Sequence, residues 1–308
     1  MIRIIFNPKS GRAGRNARLA PLLRDFVGSL KGGAELSFTE GPGHATVLAA
    51  EAAAQGYERV ISVGGDGTLN ETAQGLLHHP VALALVPCGS GNGLARHLHL
   101  PLNPVAALQL AGNPAAAIRL IDTGLAGGHP FFNVMGLGLD AEVSRRFNRL
   151  HRRGFSSYVA TAWQAFRSQR PERCAITDGQ RRESLDVLLV TVANSEQWGN
   201  EAKIAPGAQV DDGQMDLVAV GPLNLATATG FASRLFLGNV LASSHVRHWR
   251  GARFHVERSA PGLIHTDGET HPAGASLDIS VVPASLRVLV PSFGSRRTEE
   301  KPAFALQL

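Results

Sequence analysis

Cysteine is nearly absent: Cys88 and Cys174 are the only two in 308 residues, too few for a disulfide framework and without the paired spacing of a zinc site. A reducing, cytoplasmic setting is the expectation that follows. Charge is scarce too, with 18% charged against 44% hydrophobic residues, which excludes a disordered chain. No apolar run is expected to span a bilayer; the uncharged stretch 217–233 is interrupted by Pro222, Asn224, Gly221 and Gly230. The apolar start, Ile2 to Phe6, is too short for a signal-peptide core and is expected to form the first strand. Several familiar signatures are also missing. There is no G-x-x-x-x-G-K-[ST], and G-x-G-x-x-G fails at its last position, which is Asn70 after Gly65 and Gly67 and Leu94 after Gly89 and Gly91. Ser90 lacks the leading glycine of a nucleophile elbow, and the pairs His78/His79, His97/His99 and His245/His248 lack companions at metal spacing.

What is present is glycine in particular places. Gly64-Gly65-Asp66-Gly67-Thr68-Leu69-Asn70-Glu71 follows an apolar run and leads into an apolar-periodic segment, the pattern of strand, tight turn and helix. Three glycines let backbone N–H groups approach an anion, and a helix starting near Thr68 aims its positive end at the same point. Asp66 would repel a phosphate directly, so its presence argues for a bridging Mg²⁺. The loop reads as a nucleotide triphosphate site. Net charge of +5 suits an anionic ligand or an anionic membrane surface.

At 308 residues two domains are expected. The fold class is α/β: an N-terminal parallel-sheet nucleotide-binding domain over 1–125, a C-terminal β-rich antiparallel sandwich over 126–294 with the active site in the cleft between them, and a frayed tail over 295–308. Strands are expected at 2–6, 35–38, 60–63 and 81–86 with helices between, then at 185–192, 215–220, 253–256 and 286–290, with helical segments near 140–150, 157–168 and 223–241. In a parallel sheet the loops after the first four strands gather at one edge. These are Asn7-Pro8-Lys9-Ser10-Gly11, Thr39, the Gly64 loop, and Pro87-Cys88-Gly89-Ser90-Gly91-Asn92-Gly93. Lys9 offers a charge, and Ser10, Thr39, Thr68 and Ser90 offer hydroxyls.

These blocks, together with Asp211-Asp212-Gly213 and Asp267-Gly268-Glu269, resemble the lipid kinases that share a diacylglycerol kinase catalytic domain, sphingosine and ceramide kinases included. The resemblance spans nearly the whole chain, and the five blocks in this order are highly specific, although Gly-Gly-Asp-Gly-Thr alone also occurs in NAD kinases. It implies ATP and Mg²⁺ as cofactors, and ATP contacts at Asn7, Pro8, Lys9, Ser10, Gly11, Thr39, Gly64, Gly65, Asp66, Gly67, Thr68, Leu69, Asn70, Glu71 and Ser90. It also implies Asp66 and Glu269 as catalytic groups, Glu269 as the general base. A second Mg²⁺ site is implied at Asp212 with the carbonyls of Gln209 and Gln214. The residues themselves leave a hairpin open, with Asp267-Gly268 as a type I′ turn and Glu269 solvated. Asp140, in Asn133-Val134-Met135-Gly136-Leu137-Gly138-Leu139-Asp140, is placed either to face a lipid head group or to begin a helix. Bacterial diacylglycerol kinases usually continue the fourth loop as Asn-Asp. Here Asn92 is followed by Gly93, closer to sphingosine kinases, which leaves Asp66 as the main acidic group near the phosphates.

Basic and aromatic residues interleave at Arg145, Arg146, Phe147, Arg149, Arg152, Arg153 and Phe155, and again at Arg247, Trp249, Arg250, Arg253 and Phe254. Both stretches are expected to dock on anionic membranes, and no recognised nucleic-acid module accompanies them. The expected activity is phosphorylation of a hydroxyl on a membrane-derived lipid, diacylglycerol- or sphingosine-like. The alternatives are a soluble-substrate kinase of the NAD kinase type and a catalytically silent lipid-binding regulator; the oligomeric state is open, a homodimer included.

Overall fold

A computed structural model of the chain describes residues 1–10, 15–30, 32–150 and 154–292. Gly11, Arg152, Arg153 and the tail over 295–308 lie outside the described residues. The first part alternates strand and helix: β1 (Ile2–Phe6), α1 (Arg15–Ser29), β2 (Ala34–Phe38), α2 (His44–Ala54), β3 (Arg59–Gly64), α3 (Asp66–Leu76), β4 (Ala82–Pro87), α4 (Gly93–His97) and α5 (Pro104–Gly112). β1, β3 and β4 are almost wholly buried apolar runs, as strands covered on both faces must be, whereas β2 lies at the sheet edge and is only partly buried. The order β2-β1-β3-β4 is parallel throughout, so the chain reverses direction across the sheet between β1 and β3. Ligands bind at such a switch point, beyond the carboxyl ends of the strands.

The chain continues through β5 (Ala117–Ala126), β6 (His129–Phe131), β7 (Val134–Gly138), α6 (Leu139–Asn148), α7 (Phe155–Ser168), β8 (Glu172–Thr177), β9 (Arg182–Val187) and β10 (Leu189–Ala193). It ends with the short pair β11 (Gln197–Gly199) and β12 (Ala202–Lys203), then β13 (Met215–Val220), α8 (Leu225–Leu237), β14 (Val246–Gly251), β15 (Arg253–Arg258), β16 (Gly262–Thr266), β17 (Glu269–Ala273) and β18 (Ser276–Val290). A six-stranded sheet, β14-β13-β10-β7-β16-β17, packs on β18-β15-β8-β9 through Val187, Val190, Leu217, Val256, Ile264 and Ile279. The expected strand over 185–192 is two strands in different sheets. At Leu188 the chain crosses over: its N–H donates to Val220 and its carbonyl accepts from Leu139, so β9 stays in one layer and β10 enters the other. The helix expected over 223–241 is shorter, capped by Asn224 and ended by left-handed Gly238. Among the described residues no helix is long and apolar enough to cross a membrane.

β18 joins the two parts. Its first half pairs with β15 in the sandwich, and its second half lies parallel to β4 in the first sheet. The passage between them is a bulge near Ala284, held by buried Asp122, which accepts N–H groups from Ala284 and Gly213, each at 2.7 Å. Because β18 carries core residues of both parts, the chain is expected to unfold as one unit. Asp122→Ala strands two amide donors and is expected to lower stability by about 2–5 kcal/mol, read from the urea midpoint. Calorimetry should still show a single endotherm, whereas two separated transitions would mean that β18 does not couple the halves.

Candidate active site

Asn7, at the end of β1, organises the first loop. Its Nδ2 donates to Thr68 Oγ1 at 2.9 Å, its Oδ1 accepts the Lys9 N–H at 2.9 Å, and its carbonyl accepts from Ser10. Pro8 and exposed Lys9 follow at the cleft edge, while Thr39 is held at the end of β2 by its N–H on the Phe6 carbonyl. The loops after β3 and β4 touch backbone to backbone. A Cβ on Gly89 would stand 2.8 Å from the Gly65 Cα, so Gly89 admits no side chain without a backbone shift, and one on Gly65 would be tight at 3.2 Å. Asp66 fastens this contact, Oδ2 accepting the Asn92 N–H at 3.0 Å and Oδ1 the Gly93 N–H at 3.1 Å. Burial pushes the Asp66 carboxyl up, opposed by these amides.

The eight-residue motif therefore divides its labour. Gly64 and Gly65 permit close approach, Asp66 binds the fourth loop, and Leu69 closes the first helical bond back to Gly65. Thr68 is buried under Asn7, and Gly67 and Ser90 stand exposed. α3 has no side-chain cap, so its first-turn amides remain available to an anion. Asn70 and Glu71 turn elsewhere: Asn70 Nδ2 donates to Asp267 Oδ2 at 2.9 Å, and Glu71 Oε2 accepts the Ala45 N–H at the start of α2.

Asp267 is the residue that sequence reasoning undervalued. Its carboxylate accepts four hydrogen bonds, from Asn70 Nδ2 and from the Phe132, Asn133 and Val134 amides, at 2.8–2.9 Å. Desolvation pushes its carboxyl up against these four donors, which favour the charged form. Asp267 and Gly268, with φ of 49° and 90°, form the two-residue turn of the β16–β17 hairpin, so the hairpin is present. Glu269, two residues on, instead projects into the cleft. Desolvation, then Glu71 and then Asp267, raise its carboxyl above the ordinary glutamate value.

The cleft, about 1720 Å³, runs from the glycine loops past Glu269 into an apolar channel among α6, α7 and α8, with Val143, Phe147, Ala162, Phe166, Phe231 and Leu235 among its walls. Asp140 sits in the first turn of α6, as expected of a helix start, and lines the cleft, accepting Thr191 Oγ1 at 2.6 Å. The 209–214 turn lies apart from the cleft lining. Asp212 Oδ1 accepts the Gln214 N–H and Oδ2 is paired with Arg250, while Asp211 holds Arg119 through two bonds of 2.7 Å. A cation held there by Asp212, Gln209 and Gln214 would share the Asp212 carboxylate with the Arg250 guanidinium. Asp66 fits better, as a carboxylate under desolvation among the glycine loops.

Adjacent carboxylates are thus expected to separate sharply on mutation. Asp267→Ala leaves four donors without an acceptor and should cost about 3–5 kcal/mol in urea denaturation. Glu269→Ala should change stability by less than about 0.5 kcal/mol. Equal effects at the two positions would remove the distinction drawn between them.

Residues 1–124 match the diacylglycerol kinase catalytic domain, and residues 133–290 match the YegS C-terminal NAD kinase beta sandwich-like domain. A diacylglycerol kinase of Bacillus subtilis (strain 168) is 32% identical over 276 residues, covering 87% of this chain and 89% of the relative. The crystal structure of a diacylglycerol kinase from Bacillus anthracis str. Sterne shares the fold, with a TM-score of 0.69 at 20% identity, covering 94% of this chain and 97% of that one. An NAD kinase from Archaeoglobus fulgidus, solved in complex with ATP, is more distant, with a TM-score of 0.54 at 13% identity, 95% of this chain and 94% of that one being covered. The match runs along most of this chain, which belongs to the diacylglycerol kinase catalytic domain family of lipid kinases.

Proposed function

We propose that the chain is an ATP-dependent kinase acting on a hydroxyl of a membrane-derived lipid of the diacylglycerol or sphingosine type. The observation that carries this reading is one continuous cleft with two chemically different ends, glycine loops at one and an apolar channel at the other. Lys9, Thr39, Ser90 and the first amides of α3 suit a polyphosphate at the first end. When bound there, Mg²⁺–ATP would supply the phosphoryl group and offset its charge, with Asp66 as the residue to hold the metal. The apolar end suits acyl chains and gives a soluble dinucleotide little to bind. Glu269 lies between the two and takes the proton from the acceptor hydroxyl, a role for which its raised basicity is suited. A silent regulator would bind lipid in the same channel without turnover. The deciding assay offers γ-labelled ATP with diacylglycerol, phosphatidylglycerol, ceramide or sphingosine, and NAD as the soluble control. Label in a lipid is expected; label in NAD alone, or in nothing, overturns the reading.

We extend the reading to peripheral contact with an anionic membrane, though through fewer residues than the sequence suggested. In the second basic stretch Arg247 pairs with Glu183, Arg250 with Asp212, and Phe254 is buried in the sandwich core. In the first, Arg145 and Arg146 are both held by Glu142. What faces outward beside the channel mouth is Arg149 with Leu150, Val159 and Trp163, and on α8 Phe236 and Leu237. No carboxylate occurs between Glu142 and Glu172, so this rim is suited to an anionic bilayer.

Glu269→Gln keeps shape while removing basicity, and kcat is expected to fall by about 10² to 10⁴-fold with the KM for ATP nearly unchanged. A base must be deprotonated, so activity should fall as pH drops through the raised Glu269 pKa, and Glu71→Gln, by removing a repelling charge, should move that acid limb to lower pH. A Glu269→Gln enzyme within a few-fold of wild type would place the base elsewhere. For the membrane, Arg149→Glu combined with Trp163→Glu should weaken sedimentation with phosphatidylglycerol vesicles by roughly tenfold or more, and salt should weaken wild type. Salt-insensitive binding untouched by the double change would discard this rim.

A further inference from the structure

One buried polar cluster on the second wall has no part in the reading so far. Register brings Thr191 of β10, Gly136 of β7 and His265 of β16 side by side in one row across three strands. The carboxylate of Asp140 lies over the glycine, between its two neighbours. Gly136 makes the room: a Cβ there would stand 2.2 Å from Asp140 Oδ2 and 2.7 Å from His265 Nε2. Thr191 Oγ1 donates to Asp140 Oδ2 at 2.6 Å. On the other side His265 Nε2 lies 3.0 Å from Asp140 Oδ1, within ion-pair distance but without forming a hydrogen bond. His265 is 2% exposed and Asp140 is 6% exposed, and both line the cleft.

The other ring nitrogen of His265 is occupied. Nδ1 accepts the N–H of Gly268 at 3.2 Å, which assigns the proton of the neutral ring to Nε2, the nitrogen facing Asp140. A buried ring nitrogen without a partner is unfavourable, and an apolar side chain would fill the same space without that cost. The imidazole thus reaches in two directions: back to the turn that carries Glu269, and inward to the carboxylate at the start of α6. A hydroxyl donating to Asp140 from the cleft would turn its carboxylate, and Nε2 stands where it can hold the result.

We propose that His265 is a positioning residue for the acceptor, fixing the Glu269 turn through Gly268 and the acceptor-facing carboxylate of Asp140 through Nε2, so that base and acceptor hydroxyl meet at a set separation. The inference rests on the lipid-kinase reading and on Glu269 as its base. Two substitutions divide the functions of the ring. His265→Asn keeps an acceptor near the Nδ1 position and loses the reach to Asp140, whereas His265→Gln keeps a donor near Nε2 and loses the acceptor for Gly268.

The full chain is assayed with ATP and diacylglycerol in mixed micelles, or with whichever lipid the panel shows to be labelled. His265→Asn is expected to raise the acceptor KM by about tenfold with kcat within about threefold, and His265→Gln to lower kcat by about tenfold with the acceptor KM within about threefold. The KM for ATP and the melting temperature should hold in both. The double variant His265→Asn/Asp140→Asn should be no worse than the poorer single, because both remove one contact. If His265→Asn does not fold, Asp140→Asn alone reads the same contact and should raise the acceptor KM likewise. Wild-type values in both His265 variants, or equal losses that track a lowered melting temperature, would overturn the proposal. An inactive Glu269→Gln alongside unaffected His265 variants sinks this inference and leaves the kinase reading standing; a wild-type chain that labels no lipid overturns both.

Discussion

The carboxylate of Asp267 is the constraint on which the site depends. It sits at the tip of a hairpin from the sandwich, yet one of its four donors, Asn70, comes from the helix that follows the glycine turn in the parallel sheet. The other three are consecutive amides of residues 132–134, where the chain enters the second layer. A charged acceptor with four donors favours a single arrangement of these segments, because any displacement leaves amides without a partner in a desolvated place. This group, together with β18, ties the two walls of the cleft to each other.

The nucleotide wall has its own fastening. Asp66 carries a full formal charge in the middle of a loop suited to anions, which looks contradictory until its partners are seen. Both oxygens receive backbone N–H groups from the loop after β4, and the glycines at 65 and 89 allow the two loops close enough for that to happen. The same carboxylate therefore builds the wall against which the proposed polyphosphate would lie. Asn92 completes the loop by bonding both backbone groups of Gly89.

Between these two carboxylates the cleft changes character within a short distance. Glu71 and Glu269 approach from opposite walls and raise the basicity of the latter, while beyond them the surface becomes apolar. On the proposed function, a carboxylate at the edge of an apolar channel would let a hydroxyl carried by a lipid meet a phosphate held by backbone amides. Asp140, set over Gly136 and flanked by Thr191 and His265, is where the polar head of the proposed acceptor would enter.

Much of this was legible before any coordinates. The first four strands, their order of loops and the glycine turns are written in windows of about eight residues, and local patterns of burial and backbone freedom act over that range. The catalytic candidates Asp66 and Glu269 and the substrate candidate Asp140 were found from local motifs and the family resemblance that they carry, and all three line the cleft. What no local window contains is the pairing of distant segments. The return of β18 to the first sheet, the change of layer at Leu188, the pairing of Arg250 with Asp212 and the row that joins residues 136, 191 and 265 are contacts across tens to hundreds of positions. Asp267 and Glu269 make the point most directly. The sequence singled out Glu269 and left Asp267 to a turn; tertiary structure buried Asp267 among amides and left Glu269 facing the cleft, because the hairpin's place against the neighbouring layer decides which side chain meets it.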